Sequence, residues 1–216
     1  MEDQTGRGSN LYFYLTKLYE CIVLSLLWIL TSVPVITMGA ASAALYYTAN
    51  KVIKNGIGHV SQEYWKMFKS IFKQATLTWL AAMALIILLC LEMWFINAML
   101  ASGGSELWIY VGFTVILAMV LILLWLQYVF PYMARFEDSF GRTVKNTVIL
   151  CVAHFFRSLL LLLVLMLAIV IPMIITVLMP VALALFPSLY ALVSNVILEK
   201  VFSRYARQDK LEIENT

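Results

Sequence analysis

Residues 32–47 read SVPVITMGAASAALYY, sixteen positions without a charge, interrupted by Pro34 and Gly39 and then continued with alanine and serine rather than leucine. Proline removes a helical hydrogen bond and its ring clashes with the preceding turn, so an apolar helix arriving here must stop or kink. Residues 11–50, at about 1.5 Å per residue, amount to roughly two bilayer thicknesses of helix, and the break falls just past the middle. The stretch therefore reads as the turn of a helical hairpin whose N-terminus and second end share one side of a membrane. Its second arm carries Gly39, Ala40 and Ala43, small residues that let helix backbones approach closely where lipid is as apolar as leucine. The alternative is one long kinked crossing, with the N-terminus on the opposite side.

Composition extends this reading to the whole chain. Hydrophobic residues make up 63% and charged residues 12%, against roughly 45–50% and 25% in soluble domains. Mean hydropathy is +0.91. At about 20 apolar residues per crossing, 216 residues supply some five to six membrane helices and no soluble catalytic domain. The expectation is an all-α polytopic membrane protein, with residues 1–216 forming a single membrane domain.

Outward from the opening stretch, uncharged blocks at 21–50, 75–91, 107–134 and 158–198 alternate with compact charged ones. The last block would be roughly 60 Å long as one helix, so it must fold back, and Pro180 and Pro187 mark the place. Ser102-Gly103-Gly104-Ser105 marks another turn. This predicts helical hairpins over 75–131 and 148–203 and a tail over 204–216. Lys51, Lys54, Lys66, Lys69 and Lys73 fall in one connection, Arg135, Arg142 and Lys145 in a second, and Lys200, Arg204, Arg207 and Lys210 in the tail. The connections at 102–106 and around Pro180 have no basic residue. By the positive-inside rule the basic segments and the C-terminus are cytoplasmic, and the hairpin reading puts the N-terminus there too. MEDQTGRGSN has neither a secretory signal's pattern nor a lipidation box, so the first helix is expected to stay.

Two stretches are neither loop nor span. Over 61–74, Tyr64, Trp65, Phe68, Ile71 and Phe72 fall within about 120° of arc at ~100° per residue, with Lys66, Lys69 and Lys73 opposite. This predicts an amphipathic helix on the inner leaflet, its lysines toward anionic headgroups or a cytoplasmic partner. Residues 135–147 form a second elbow in which Phe136 and Phe140 match Phe68 and Phe72. The two are either an internal repeat or unrelated interfacial elements.

Few residues can carry chemistry. Glu92 is an acid well inside an apolar run, a default candidate for a cation or proton site, with Asn97, Gln127 and Asn195 as possible partners. The blander account makes it protonated, or close enough to the outer interface to find water. Lys17 and Glu20 are spaced as an interfacial ion pair, and His154 and Arg157 as a basic pair snorkelling to lipid phosphate. Cys21, Cys90 and Cys151 are isolated in apolar runs and read as small hydrophobes. Trp79, Trp94, Trp108, Trp125 and Tyr128 read as aromatic belts at helix ends, although Trp94 and Trp108 could stack a sugar. No nucleophile elbow, phosphate loop, metal-ligand spacing or nucleic-acid footprint occurs, so no catalytic residue, cofactor, metal or nucleic-acid partner is assigned.

The run LLWILTSVPVITMGAASAALYYTANKVI, followed by YWKMFKSIFKQATLTWL and RFEDSFGRTVKNTVIL, resembles the YesL-like family of small bacterial membrane proteins. Trp28, Pro34, Thr37, Gly39, Ala40, Ala43, Leu45 and Tyr46 carry the resemblance. It implies a bacterial plasma membrane, mostly Gram-positive, and genes beside carbohydrate importers of the ATP-binding-cassette type. It implies no catalytic residue. The chain is thus expected to be a non-enzymatic accessory subunit for carbohydrate uptake, its partners the lipid bilayer and the membrane subunits of an importer. The rival expectation is a small secondary transporter with Glu92 on its polar path, and a weaker one a lipid or envelope-stress protein.

Overall fold

In a computed structural model the chain is described over residues 3–174 and 179–214, and every regular element there is a helix. The first, α1 (Asp3–Ser32), stops where the sequence requires, because Pro34 disfavours helical backbone at Val33. One 3-10 turn, Val35–Thr37, reverses the chain into α2 (Met38–Thr48). Thr37 Oγ1 donates to the Thr31 carbonyl at 2.5 Å, giving one of the orphan acceptors at the end of α1 a partner. The chain does turn back on itself. Trp28 Nε1 donates to Ser42 Oγ at 3.4 Å and Lys17 Nζ to the Val52 carbonyl at 3.2 Å, early residues pairing with late ones. After Thr48 the helix widens into a π-turn, Ala49–Lys54, which brings the chain back to the level of Lys17, midway along α1.

The second arm is short. With 11 residues α2 is about 17 Å long, well under the ~30 Å of hydrocarbon. Four helices contain segments long and apolar enough to span, Tyr12–Ser32, Val60–Ala101, Leu107–Arg135 and Met179–Ser203. A bent pair, Phe140–Ala153 with Phe155–Leu167, passes the same test only when the two are taken together, giving four or five spans by length and composition. The all-α polytopic class stands, with four to five candidate spans against the expected five to six.

The third helix, α3 (Val60–Ala101), is one unbroken helix of 42 residues, about 63 Å. The separate surface helix expected at 61–74 is therefore its first third. Tyr64 and Phe68 are buried against the α1–α2 hairpin, and the Tyr64 hydroxyl meets Thr31 Oγ1 at 2.5 Å. Tyr64 and Phe68 of this apolar stripe are thus covered by protein, while Trp65 and Phe72 stay 38% exposed. Trp79 Nε1 donates to the Val35 carbonyl at 2.7 Å, so the hairpin turn reaches only the middle of α3. Beyond it, α3 runs on against α4 (Leu107–Arg135), with Leu89, Ile96 and Val115 at their contact. Gly103, at φ 81°, makes the tight turn between them.

After an extended connection at 136–139, α5 (Phe140–Ala153) meets α6 (Phe155–Ile174) at 91°, the bend centred on His154. The elbow expected at 135–147 thus extends to 153, and the following hairpin begins later than 148. Phe68 and Phe72 are a turn apart on one helix, whereas Phe136 precedes the α5 cap at Ser139, so the two elbows are not repeats. The last helix, α7 (Met179–Glu214), contains Pro187 in its interior, so this proline does not mark the turn. Pro180 lies in the first turn of α7, and residues 175–178 between the helices fall outside the described residues. Besides the α3–α4 contact, two larger buried clusters hold the bundle. One surrounds α2, and the other joins Tyr128, Tyr132, Leu150, Leu161, Leu198 and Phe202 from α4 to α7.

Candidate functional site, an apolar cavity with a polar floor

Gly39 fixes the position of α2. A Cβ placed there would lie 2.7 Å from the Ala75 carbonyl oxygen and 2.8 Å from both Trp79 Cβ and Phe130 Cε1. Ala40, Ala41, Ala43 and Ala44 are fully buried beside it. The small-residue face is consumed by this chain's own helices and offers nothing to a partner. Pro34 lies exposed at the turn.

The side of α2 bearing Met38, Ser42, Leu45 and Tyr46 closes a cavity of about 280 Å³ between α1, α3, α4, α6 and α7. Its wall is almost wholly apolar. The polar groups on it are engaged: Ser42 Oγ accepts from Trp28, Gln127 Oε1 accepts from Tyr190 Oη at 3.2 Å, and Ser194 Oγ donates to the Tyr190 and Ala191 carbonyls at 2.9 Å.

Tyr46 also lines a second hollow with Tyr47, Asn50, Ala134, Arg135 and Glu199. This polar floor is a clasp between helices. The Glu199 carboxylate accepts from Arg135, from Asn50 Nδ2 at 3.2 Å and from Tyr46 Oη at 3.4 Å, drawing α7, α4 and α2 together. The guanidinium of Arg135 lies 5.8 Å and 6.0 Å from the Phe136 and Phe202 ring centroids, within cation–π range. Fully buried Asn195 donates to the Tyr46 carbonyl at 3.3 Å, while its Oδ1 and the Thr48 hydroxyl stay unpartnered. At the same end Lys51 bonds Glu63 at 2.7 Å and the Tyr47 hydroxyl at 3.1 Å. The Glu63 bond first, then the Tyr47 bond, raise the Lys51 pKa above its ordinary value. Lys17 and Glu20 form the expected pair at 2.8 Å. A further clasp fixes the elbow. Tyr132 Oη donates to Asp138 Oδ2 at 2.6 Å and accepts from Asn146 at 2.9 Å, and Gln74 donates to the Asp138 carbonyl at 3.3 Å.

Glu92 is elsewhere. It is exposed on α3 among Leu88, Leu91 and Phe95. None of its expected partners reaches it: Asn97 bonds the Met93 carbonyl, Gln127 bonds Tyr190 and Asn195 bonds Tyr46. Lys66, Lys69 and Lys73 are exposed on the hairpin half of α3, and none joins the four ion pairs of the described residues. Trp94 lies exposed beside the 102–106 turn, as a belt residue would, and Trp108 stacks edge-on with Phe95. Trp79 and Trp125 instead bond Val35 and Thr147 inside the bundle. Sequence reasoning missed Glu199 as the hub, although it is the first acid after the long apolar run 158–198, where a charge must find a partner or water.

The fold defines a multi-helix membrane protein with no strand among its described residues. Within it, residues 21–93, from the second half of α1 to Met93 on α3, match the model of a family described as "Protein of unknown function, DUF624". No curated protein and no solved structure matches the chain.

Proposed function

We propose that this chain is a non-enzymatic membrane subunit that accompanies a carbohydrate importer of the ATP-binding-cassette type in a bacterial plasma membrane, its basic end in the cytoplasm. The carbohydrate link rests on the YesL-like resemblance; the family match, to a family of unknown function, is compatible with it and coarser. One observation carries the role of partner. While Lys17, Lys51 and Arg135 pair with acids of their own chain, Lys66, Lys69 and Lys73 share an exposed face of α3 and join none of the ion pairs among the described residues; Trp65 and Phe72, each 38% exposed, lie at the edge of that face. Free cations bordered by half-exposed aromatics suit an acidic cytoplasmic surface. The rival transporter reading places Glu92 on a polar path, and this chain supplies none of the partner groups considered for it.

The test is to tag the chain in its native host, extract it in mild detergent and quantify the importer subunits recovered. The proposal expects permease and ATPase subunits in fixed proportion, lost when Lys66, Lys69 and Lys73 are all replaced by Gln. Recovery of the chain alone would contradict it.

A further inference from the structure

The cavity behind α2 opens to the side. Leu123 of α4 and Met166 of α6 line it, yet they are 37% and 42% exposed on the apolar exterior. A second apolar hollow along α6, walled by Phe156, Leu159, Leu160 and Leu163, shares Leu162 and Met166 with the cavity, so the two adjoin. The approach from the exterior and the cavity wall are both almost wholly apolar.

We propose that this cavity holds one hydrocarbon chain of a bilayer lipid, which enters between α4 and α6 past Leu123 and Met166. Apolar cavities of ~150 Å³ stay dry and take up benzene, and this one, at about 280 Å³, is nearly twice that size. A sugar is the wrong occupant. Its hydroxyls would leave water for a wall whose Ser42 already accepts from Trp28 and whose Gln127, Tyr190 and Ser194 already bond one another or their own helices. An alkyl chain needs no hydrogen bond and fills space that otherwise forfeits dispersion contacts. The inference is independent of any importer partner.

The experiment reconstitutes the full chain in phosphatidylglycerol–phosphatidylethanolamine vesicles containing a phosphatidylglycerol with a mid-chain diazirine, photolyses them and maps the labelled residues. The proposal expects label on shielded wall positions such as Leu45, Gln127 and Ala191 as well as on outward Leu88. Leu162→Trp and Met166→Trp should each lower wall labelling about tenfold by occupying the void and leave Leu88 labelling unchanged. Label confined to outward residues would overturn it, as would wall labelling that neither variant reduces or that maltose displaces. If a variant does not fold, the wild-type map decides alone.

Discussion

The Cβ position of Gly39 lies 2.7 Å from the carbonyl oxygen of Ala75, closer than any real side chain could stand to that backbone. Here α2 and α3 touch with nothing between them, and the hairpin's position on α3 depends on that contact. Gly39→Ala should lower the thermal midpoint in detergent by a stability loss of about 1–3 kcal/mol, the range of overpacking, and Gly39→Leu should abolish folded yield. Gly141→Ala, where a Cβ on α5 meets nothing within 4 Å, should leave the midpoint unchanged or raise it. Equal effects at the two glycines would contradict the packing account.

The ion pair of Arg135 and Glu199 is partly exposed, at 30% and 21% of the side chains, so its worth is discounted for solvent. Replacing Glu199 also strands Tyr46 and Asn50. Glu199→Ala, which leaves no acceptor, should therefore cost more than Arg135→Ala, by about 1 kcal/mol, and a double-mutant cycle in chemical denaturation should show the sites coupled. Strict additivity would show that the clasp does not hold α4 to α7.

Lys51 gives the pH dependence. Its pKa is raised from the ordinary 10.5 by Glu63 and Tyr47. A raised folded-state value means that the bond contributes its full stability below the unfolded pKa and loses it as pH climbs through the folded one. The stability gap between wild type and Lys51→Gln, followed by thermal melting, should be constant near neutrality and close under strongly alkaline conditions. A gap that widens with pH would reverse the sign.

Glu92 should be dispensable. It lies 18 residues beyond Gln74, about 27 Å along α3, near the far edge of a ~30 Å hydrocarbon layer entered at Gln74. Glu92→Gln is expected to change melting by less than about 0.5 kcal/mol and to leave sugar uptake by whole cells unaltered. Loss of uptake with intact folding would restore the transporter reading.

What the sequence disclosed depended on whether backbone chemistry or a partner's identity was at stake. Pro34 and the small residues after it revealed the hairpin, because proline acts on its own helix. They did not reveal that the return arm is short, since that is set by the π-turn at Ala49–Lys54 and by how far Trp79 lies along α3. The apolar stripe at Tyr64 and Phe68 was legible as a stripe; periodicity says that one face is apolar and cannot say whether lipid or the α1–α2 hairpin covers it. The clasp at Glu199 was invisible, because Tyr46 and Asn50 stand about 150 residues away in the chain. The cavity was invisible for the same reason, its wall being drawn from six of the seven helices.

The whole account turns on the basic end of the molecule facing the cytoplasm. In a variant with Cys21, Cys90 and Cys151 replaced by alanine, single cysteines at Lys69 and Ser102 should be treated on intact cells with an impermeant thiol reagent. The account predicts labelling at Ser102→Cys and protection at Lys69→Cys until the cells are opened. Labelling at Lys69→Cys with protection at Ser102→Cys would place the lysine face outside and contradict it.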